Sequence, residues 1–344
     1  MSTAMSARPV REVPPAPTIP AAHGPIGAAL GRLLAGEPLD GTDLPPVLDP
    51  LADDDLQSAL YLAYELHYRG LPGVPERFEW EPRVLAFRRE LETAFEDGLR
   101  RRADDRSVDV RDVRETLRGL AAPPTEGSLS TFVERRATIE QVRELLIHRS
   151  AYQLKEADPH SWGIPRLTGA AKTGLMEIQY DEYGSGDPAW MHAELFRTTM
   201  VAAGLDGTYG AYVERLPGTT LATVNMISLF GLHRRLRGAL IGHLALFEMT
   251  SSLPNRAYAN GLRRLGFAEP ATRFFDEHVE ADALHEVLAE DLAALVAAEE
   301  PALAADVVFG ASALSLVEDR SSGAILDAWE SGRSSLLAAP PASR

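Results

Sequence analysis

From residue 128 onward, nearly every segment spaces its apolar residues as an α-helix does. Ala, Leu, Arg and Glu dominate these segments, and β-branched residues are too few to suggest strands. Turn residues at 184–188 and 253–255 separate successive helical segments. The sequence therefore predicts an all-α fold, with helices at about 128–157, 168–183, 188–203, 207–215, 219–252, 254–265, 270–298 and 300–316.

The chain divides into four parts by composition. Residues 1–24 are rich in Pro, Ala and Ser without periodicity, so we expect a disordered arm. Residues 25–122 are predicted to be an N-terminal helical region that forms either a dimer interface or a cap. A linker at 123–127 precedes the main helical domain, residues 128–333, and residues 334–344 are expected to be a disordered tail.

Charge and composition exclude several classes of function. The chain has 50 acidic and 34 basic residues, a net charge of −16, which argues against nucleic acid or an anionic membrane as the partner. No apolar stretch approaches the roughly 18 residues that a membrane span needs, so we expect a cytoplasmic protein. The chain has no cysteine, so a metal would be held by His, Asp and Glu.

One helical segment offers three metal-binding side chains on a single face. Steps of four and three residues separate His278, Asp282 and His285, which places them within a sector of about 60°. Imidazole and carboxylate together suit iron or another first-row divalent ion. The alternative is an exposed polar face on an acidic helix.

Other helices contribute further acids and one imidazole. Glu248 lies in an apolar segment, where an ionised carboxylate needs a cation. Glu182 ends one predicted helix and His192 begins the next, so the turn between them can bring both together. Glu156 closes the first long helix, and its alternative role is a salt bridge with Lys155 or an ordinary polar residue at a helix end.

The charges of these residues balance two ferrous ions. The four carboxylates supply four negative charges, and the three histidines would bind as neutral imidazoles. We expect Glu156, Glu182 and Glu248 to be the catalytic carboxylates, with Glu182 or Glu156 bridging because both lie at helix ends. The predicted metal ligands are Glu156, Glu182, His192, Glu248, His278, Asp282 and His285.

This ligand pattern resembles that of the haem-oxygenase-like di-iron oxidases and oxygenases. In that family the last ligand helix carries His-x3-Asp-x2-His, and earlier helices supply a Glu, a downstream His and a further Glu, as Glu182, His192 and Glu248 do here. The nine residues between Glu182 and His192, and the additional acid Glu156, resemble the N-oxygenase branch known from streptozotocin assembly. The resemblance covers roughly residues 130–320.

The resemblance implies a haem-oxygenase-like helical bundle that binds two iron ions, cycling between Fe2+ and Fe3+, in place of haem. Dioxygen would be the co-substrate, acting through a peroxo-bridged diferric state. The expected reaction is N-oxygenation of an amino or guanidino nitrogen, for example in an aminoimidazole, to the hydroxylamine or nitro level during natural product biosynthesis. The alternatives are desaturation or C–C cleavage of an amino acid or fatty acid, and a non-catalytic metal-binding protein. A mixed manganese–iron site fits the same ligands.

The expected partners are a small amine or guanidine substrate and, since no flavin or nicotinamide motif is present, a separate electron donor. A homodimer is also expected. Asp158 and Asn225 are candidates for binding a cationic substrate. The other candidate substrate residues, each of which has ordinary core packing as its alternative, are Tyr152, Tyr180, Met191, Phe196 and Phe247.

Overall fold

The computed structural model describes residues 22–37, 45–103, 110–122 and 127–338, without the side chains of residues 110 and 280–284. Regular structure within these ranges is entirely helical, so the all-α prediction is confirmed. Most of the predicted arm, residues 1–21, lies outside the described residues. The same is true of linker residues 123–126 and of residues 339–344.

Thirteen α-helices, joined by turns and short 3-10 segments, make up the described chain. The N-terminal region contains α1 (Pro25–Leu34), α2 (Asp54–Glu65), α3 (Pro82–Arg100) and α4 (Val113–Leu120). The main domain contains α5 (Leu129–Arg135), α6 (Ile139–Gln153), α7 (Asp158–Ser161), α8 (Gly169–Glu182), α9 (His192–Ala202), α10 (Gly218–Leu232), α11 (Arg237–Arg264), α12 (Glu269–Glu299) and α13 (Ala304–Glu330).

Helix α11 is central and packs along both α12 and α13. The backbones of α11 and α13 approach so closely that glycine is required on both helices. A Cβ on Gly242 would lie 1.8 Å from the Val307 carbonyl oxygen, and one on Gly310 would lie 2.0 Å from the Ala239 carbonyl oxygen. This close packing fixes α11, which carries Glu248.

The predicted helix 128–157 is instead two helices. Helix α5 ends at Arg135, and Thr138 caps the start of α6. The Thr138 hydroxyl accepts a hydrogen bond from the Gln141 amide, and the Gln141 side chain accepts one from the Thr138 amide. This reciprocal cap starts a new helix inside the segment that periodicity alone assigned to one.

The predicted break at 253–255 is wrong, because α11 continues through Pro254 to Arg264. Packing of α11 against α12 and α5 stabilises the helix by more than the lost backbone hydrogen bond and the steric clash of proline destabilise it. The predicted helix 219–252 is broken elsewhere, between α10 and α11, where His233 lies 3.0 Å from Glu92 of α3. Residues 207–215 form turns and one short 3-10 segment, and the last helix extends to Glu330 rather than 316.

The N-terminal region packs directly on the main domain. Helix α2 lies against α10, and α4 lies against α12 and α13. The fully buried Asn225 of α10 donates hydrogen bonds to the backbone and side-chain oxygens of Gln57 in α2, at 2.8 and 2.7 Å. One apolar core runs through both parts, so this region covers one side of the domain. The homodimer stays a prediction.

The beginning of the expected disordered tail is packed in place. The Ser334 and Ser335 hydroxyls donate hydrogen bonds to Glu144 of α6, at 2.6 and 2.7 Å. Leu336 is buried, and the Leu337 amide donates to the Arg215 carbonyl. The prediction of disorder from residue 334 is therefore wrong for residues 334–338.

One helical segment, 301–330, is long and apolar enough to cross a membrane by length and composition. However, 61% of its most apolar window is buried within the protein. Its α-helical part, α13, packs against α10 and α11, so packing within the protein accounts for the apolar character of this segment.

Candidate metal centre

Six of the seven predicted ligands converge in the interior of the main domain. Each is at most 7% exposed, and together they form two groups of possible metal ligands. Within each group, one ligand atom per residue lies within 4.8 Å of the others. The first group consists of Glu156, Glu182, His192 and His278, and the second consists of Glu182, Glu248 and His285. The side chain of the seventh predicted ligand, Asp282, lies outside the described residues.

Glu182 belongs to both groups. Its Oε2 atom lies 3.0 Å from Nδ1 of His192 in the first group. Its Oε1 atom lies 3.7 Å from Nδ1 of His285 in the second. The carboxylate thus lies between the two groups, where it can bridge two metal ions.

The turn after α8 brings Glu182 and His192 together. Glu182 is the last residue of α8, and His192 is the first residue of α9. Gly184 has a φ of +72°, and a Cβ there would lie 2.6 Å from the Met191 amide nitrogen. Only glycine permits this close reversal of the chain without strain.

Glu156 lies in the break between α6 and α7. The next residue, Ala157, adopts a left-handed conformation with φ of +72°, so the helix cannot continue there. The Ala157 carbonyl accepts a hydrogen bond of 2.9 Å from the Gln179 side chain of α8. In this position Glu156 Oε1 lies 3.4 Å from Nε2 of His278.

Hydrogen bonds orient two of the three imidazoles. Nδ1 of His278 donates to the Phe274 carbonyl at 2.8 Å, which leaves Nε2 facing Glu156. Nε2 of His285 donates to Asp181 at 3.2 Å, which leaves Nδ1 facing Glu182 and Glu248. Such bonds fix the tautomer and direction of histidines that bind metals.

The acids and imidazoles stabilise each other's charged forms. Burial would raise the pKa of Glu182, but His192, His278 and His285 lower it to about 2. Burial would lower the pKa of His285, but the adjacent Glu248 and Glu182 raise it to about 9. Against burial, the pKa of His192 is raised as well, chiefly by Glu182, so protons on His192 and His285 offset the buried negative charge, and a divalent cation bound here would replace them.

The donor atoms fit a buried iron site. Glu156 Oε2, His192 Nδ1 and His285 Nδ1 are inaccessible to solvent and form no aligned hydrogen bond with the described residues. Nδ1 of His192 and Nδ1 of His285 lie 3.0 Å from Glu182 and 3.5 Å from Glu248 without hydrogen-bond alignment, and a bound cation would satisfy all three atoms. Mixed carboxylate and imidazole donors suit iron, manganese, cobalt or zinc better than calcium or magnesium.

An open cavity of about 520 Å³ reaches the centre at His192. Its other described lining residues include three acids and one aromatic residue, namely Asp181, Asp187, Glu277 and Trp190, together with Gly184 and Ser185. A much smaller cavity of about 50 Å³, lined in part by Tyr152, His243 and Phe247, lies elsewhere in the domain. The larger cavity therefore provides access to the candidate ligands.

None of the seven predicted substrate residues is among the described residues that line the larger cavity. Tyr152 and Phe247 pack edge to face, 5.6 Å apart, at the smaller cavity. Phe196 is fully buried against Phe274, and Asn225 binds Gln57, so both have packing roles.

The other three predicted substrate residues lie close to the turns around the centre. Asp158 accepts a hydrogen bond of 2.8 Å from the Tyr183 hydroxyl. Tyr180 is exposed and donates to the Ser185 carbonyl at 2.7 Å. Met191 precedes α9 and packs closely on Gly184.

The acids that line the larger cavity are not among the residues predicted from the sequence. Asp181 and Glu277 directly precede the predicted ligands Glu182 and His278, and this adjacency was a usable indication. Asp181 also orients His285. Asp187 and Trp190 lie in the turn between α8 and α9, where periodicity carries no information.

A comparison with family models matches residues 143–319 to a family described as iron-containing redox enzyme. The match covers slightly more than half of the chain and includes all seven predicted ligands, whereas α1–α5 lie outside it. A comparison with curated proteins found no match. The matched segment and the buried histidines and carboxylates within it lead to one conclusion: the chain belongs to the family of iron-containing redox enzymes.

Proposed function

We propose that this protein is a non-haem di-iron oxygenase that uses dioxygen to oxidise an amino or guanidino nitrogen of a small molecule. The two ligand groups that share Glu182 support a site for two ions rather than one. Membership of an iron-containing redox family supports iron as the metal. Two-metal carboxylate centres built from side chains of facing helices are a known use of all-α folds.

The ligands divide between the two ions according to their grouping. Glu156, His192 and His278 would hold the first iron, and Glu248 and His285 the second, with Glu182 between them. Asp282 lies on α12, as do His278 and His285, and we retain it as the seventh proposed ligand without assigning it to one ion. Bound iron would supply the activation of dioxygen and the transfer of one oxygen atom.

The acidic cavity at His192 is the observation that favours a cationic substrate. Asp181, Asp187 and Glu277 give this entrance a negative charge, which attracts ammonium or guanidinium groups and repels fatty-acid carboxylates. The ring of Trp190 offers a cation–π surface. The Arg273 guanidinium occupies one face of this ring, 4.0 Å from its centre, so a substrate cation would use the opposite face.

The reaction proposed here acts on the neutral amine. Forming an N–O bond requires a lone pair on nitrogen, so a bound ammonium must first lose a proton. One amine, one dioxygen, two electrons and two protons then give one hydroxylamine and one water. The two electrons come from a separate reductant.

The test is an anaerobic ferrous titration followed by exposure to oxygen with a reductant and a panel of amines and guanidines. We expect about two irons per chain and amine-dependent oxygen consumption, with a product that has gained one oxygen atom. Glu182→Gln should lose this activity. The matched control is Glu177→Gln, which changes an exposed acid on the same helix and should keep it.

Three outcomes would contradict the proposal. Failure to bind iron would show that the two groups do not act as a metal centre. One tightly held ion without oxygen reactivity would show a binding protein rather than an oxygenase. Turnover of fatty acids with no turnover of amines or guanidines would show that the acidic cavity does not select the substrate.

A further inference from the structure

The N-terminal region reaches the chain immediately before the ligand Glu156. Lys155 forms an ion pair with Glu65, the last residue of α2, and both side chains are completely buried. This pair connects a helix outside the family match to the residue next to a metal ligand. Desolvating two charges is costly, so the pair requires good geometry and further partners.

The structure supplies those partners. The second carboxylate oxygen of Glu65 accepts a hydrogen bond of 2.7 Å from the Tyr209 hydroxyl. The Lys155 ammonium group lies 4.7 Å from the ring centre of Tyr61 and 4.3 Å from that of Tyr68. The ammonium group is therefore enclosed by one carboxylate and two aromatic faces, which fixes its position.

A second contact holds the residue before Lys155. Arg69, which follows α2, donates a hydrogen bond of 3.2 Å to the Leu154 carbonyl. Its guanidinium group also lies 3.9 Å over the ring of Tyr209. Residues 65–69 of the N-terminal region thus bind two consecutive residues, Leu154 and Lys155.

Glu156 depends on such contacts because regular helical structure does not hold it. Helix α6 ends at Gln153, and the Glu156 amide reaches the Gln153 carbonyl at a long 3.4 Å. On its other side, Ala157 is left-handed and is held by Gln179. The position of Glu156 is therefore set by side-chain contacts to residues 154–155 before it and to Ala157 after it.

We propose that Glu65 and Arg69 are positioning residues for the metal centre, acting through Lys155 and Leu154 to place Glu156 in the first ligand group. The N-terminal region then helps to position a metal ligand, in addition to covering one side of the domain. This inference rests on the proposed metal centre, and it concerns metal binding rather than the substrate.

The test compares Glu65→Gln with Glu96→Gln in the full chain. The neutral amide leaves the Lys155 ammonium group without its counter-charge, so residues 154–156 should shift. Glu96→Gln is the matched control, because Glu96 also lies in the N-terminal region and accepts a hydrogen bond of 2.8 Å from Arg235 of the domain. Its ion pairs among the described residues are with Arg100 and Arg235, away from residues 154–156. Both variants are checked for folding by circular dichroism before iron is added.

In ferrous titrations, we expect Glu65→Gln to lower the affinity for one of the two irons by about 10–100-fold. Loss of a residue that orients a metal ligand usually has an effect of this size. The other iron should bind as in the wild type, which is the pattern expected of Glu156→Gln. A general loss of protein stability would instead lower the affinity for both irons. Glu96→Gln should bind both with wild-type affinity.

Amide hydrogen exchange provides a readout without iron. Exchange across residues 154–158 should rise in Glu65→Gln and stay unchanged in Glu96→Gln. If Glu65→Gln does not fold, Glu65→Leu with Lys155→Met removes both charges, and the same two measurements apply to it. Wild-type iron affinities together with wild-type exchange at 154–158, in either folded variant, would overturn the proposal. Weak iron binding by the wild type itself would instead overturn the proposed function, and the exchange result would still decide the positioning role.

Discussion

The Glu182 carboxylate lies 3.0 Å from Nδ1 of His192, so the last side chain of α8 meets the first of α9 across an irregular turn. The other oxygen of the same carboxylate lies 3.7 Å from His285. One side chain therefore joins two groups of candidate metal ligands, which residues from α11, α12 and the break between α6 and α7 complete.

The shared position of Glu182 predicts unequal effects of carboxylate substitutions. Glu182→Gln removes the shared negative charge and replaces one of the two carboxylate oxygens by an amide nitrogen. A single oxygen then remains between the two groups, so we expect tight binding of both irons to be lost. Glu248→Gln changes only the second group and should leave one iron bound. Ferrous titration gives the number of equivalents bound. Two tightly bound irons in Glu182→Gln would contradict the bridging role.

The hydrogen bond from His285 to Asp181 predicts a role for a residue that is not itself in either ligand group. Asp181→Ala frees the imidazole to rotate, so affinity for the second iron should fall by about 10–100-fold. Ser185→Ala is the control, because it removes the 2.9 Å Ser185–Asp181 hydrogen bond but leaves His285 oriented. Equal iron affinities in the two variants would show that Asp181 does not orient His285.

The buried His148 predicts that stability falls in mild acid. Burial lowers its pKa to about 4 from 6.5, and both ring nitrogens bond hydroxyls, of Thr220 at 2.7 Å and Ser335 at 2.9 Å. Between these two values the unfolded state binds more protons than the native state. The contribution of His148 to the free energy of unfolding is therefore present above pH 6.5 and is lost as the pH falls towards 4.

Urea denaturation at several pH values, with a chelator present, measures this effect. His148→Asn cannot titrate, so its free energy of unfolding should depend less on pH than that of the wild type. His23→Gln, which changes an exposed histidine, should follow the wild-type curve. The same pH dependence in His148→Asn as in the wild type would assign the acid sensitivity to other groups.

The contact between α11 and α13 predicts opposite effects of two glycine substitutions on one helix. Gly310→Ala places a methyl group 2.0 Å from the Ala239 carbonyl oxygen, so it should destabilise the protein by at least about 1–3 kcal/mol. Gly323→Ala meets nothing within 4 Å and should stabilise it by about 0.4–1 kcal/mol. Thermal melting of both variants tests the pair, and a neutral Gly310→Ala would show that the helices can separate.

The sequence predicts the candidate ligands best where polar residues interrupt the apolar pattern of a helix. Glu248 could be selected because it is an acid in an apolar helix, and His278 and His285 because their spacing places them on one face. Both features involve residues close together in the sequence, so they can be recognised without knowledge of the tertiary structure. The sequence does not predict which carboxylate both groups share. It indicates Glu182 or Glu156, because both lie at predicted helix ends.

The rest depended on packing that the sequence does not encode locally. Pro254 predicts a break, but neighbouring helices hold α11 together around it. Aromatic residues were assigned to the substrate pocket by type, yet Phe196 packs in the core and Trp190 in an unassigned turn lines the cavity. The direction in which such a side chain points follows from how whole helices pack.

The turn from Tyr183 to Met191 has a consequence for how this enzyme can diversify. Its two ends are anchored by Glu182 and His192, while its middle supplies Gly184, Ser185, Asp187 and Trp190 to the cavity wall. Replacing only the part of this loop after Gly184 would alter the shape and charge of the entrance. The neighbouring ligands would stay in place, because Gly184 still permits the close reversal of the chain. New substrate preferences can therefore be sought by grafting loop sequences, without rebuilding the centre.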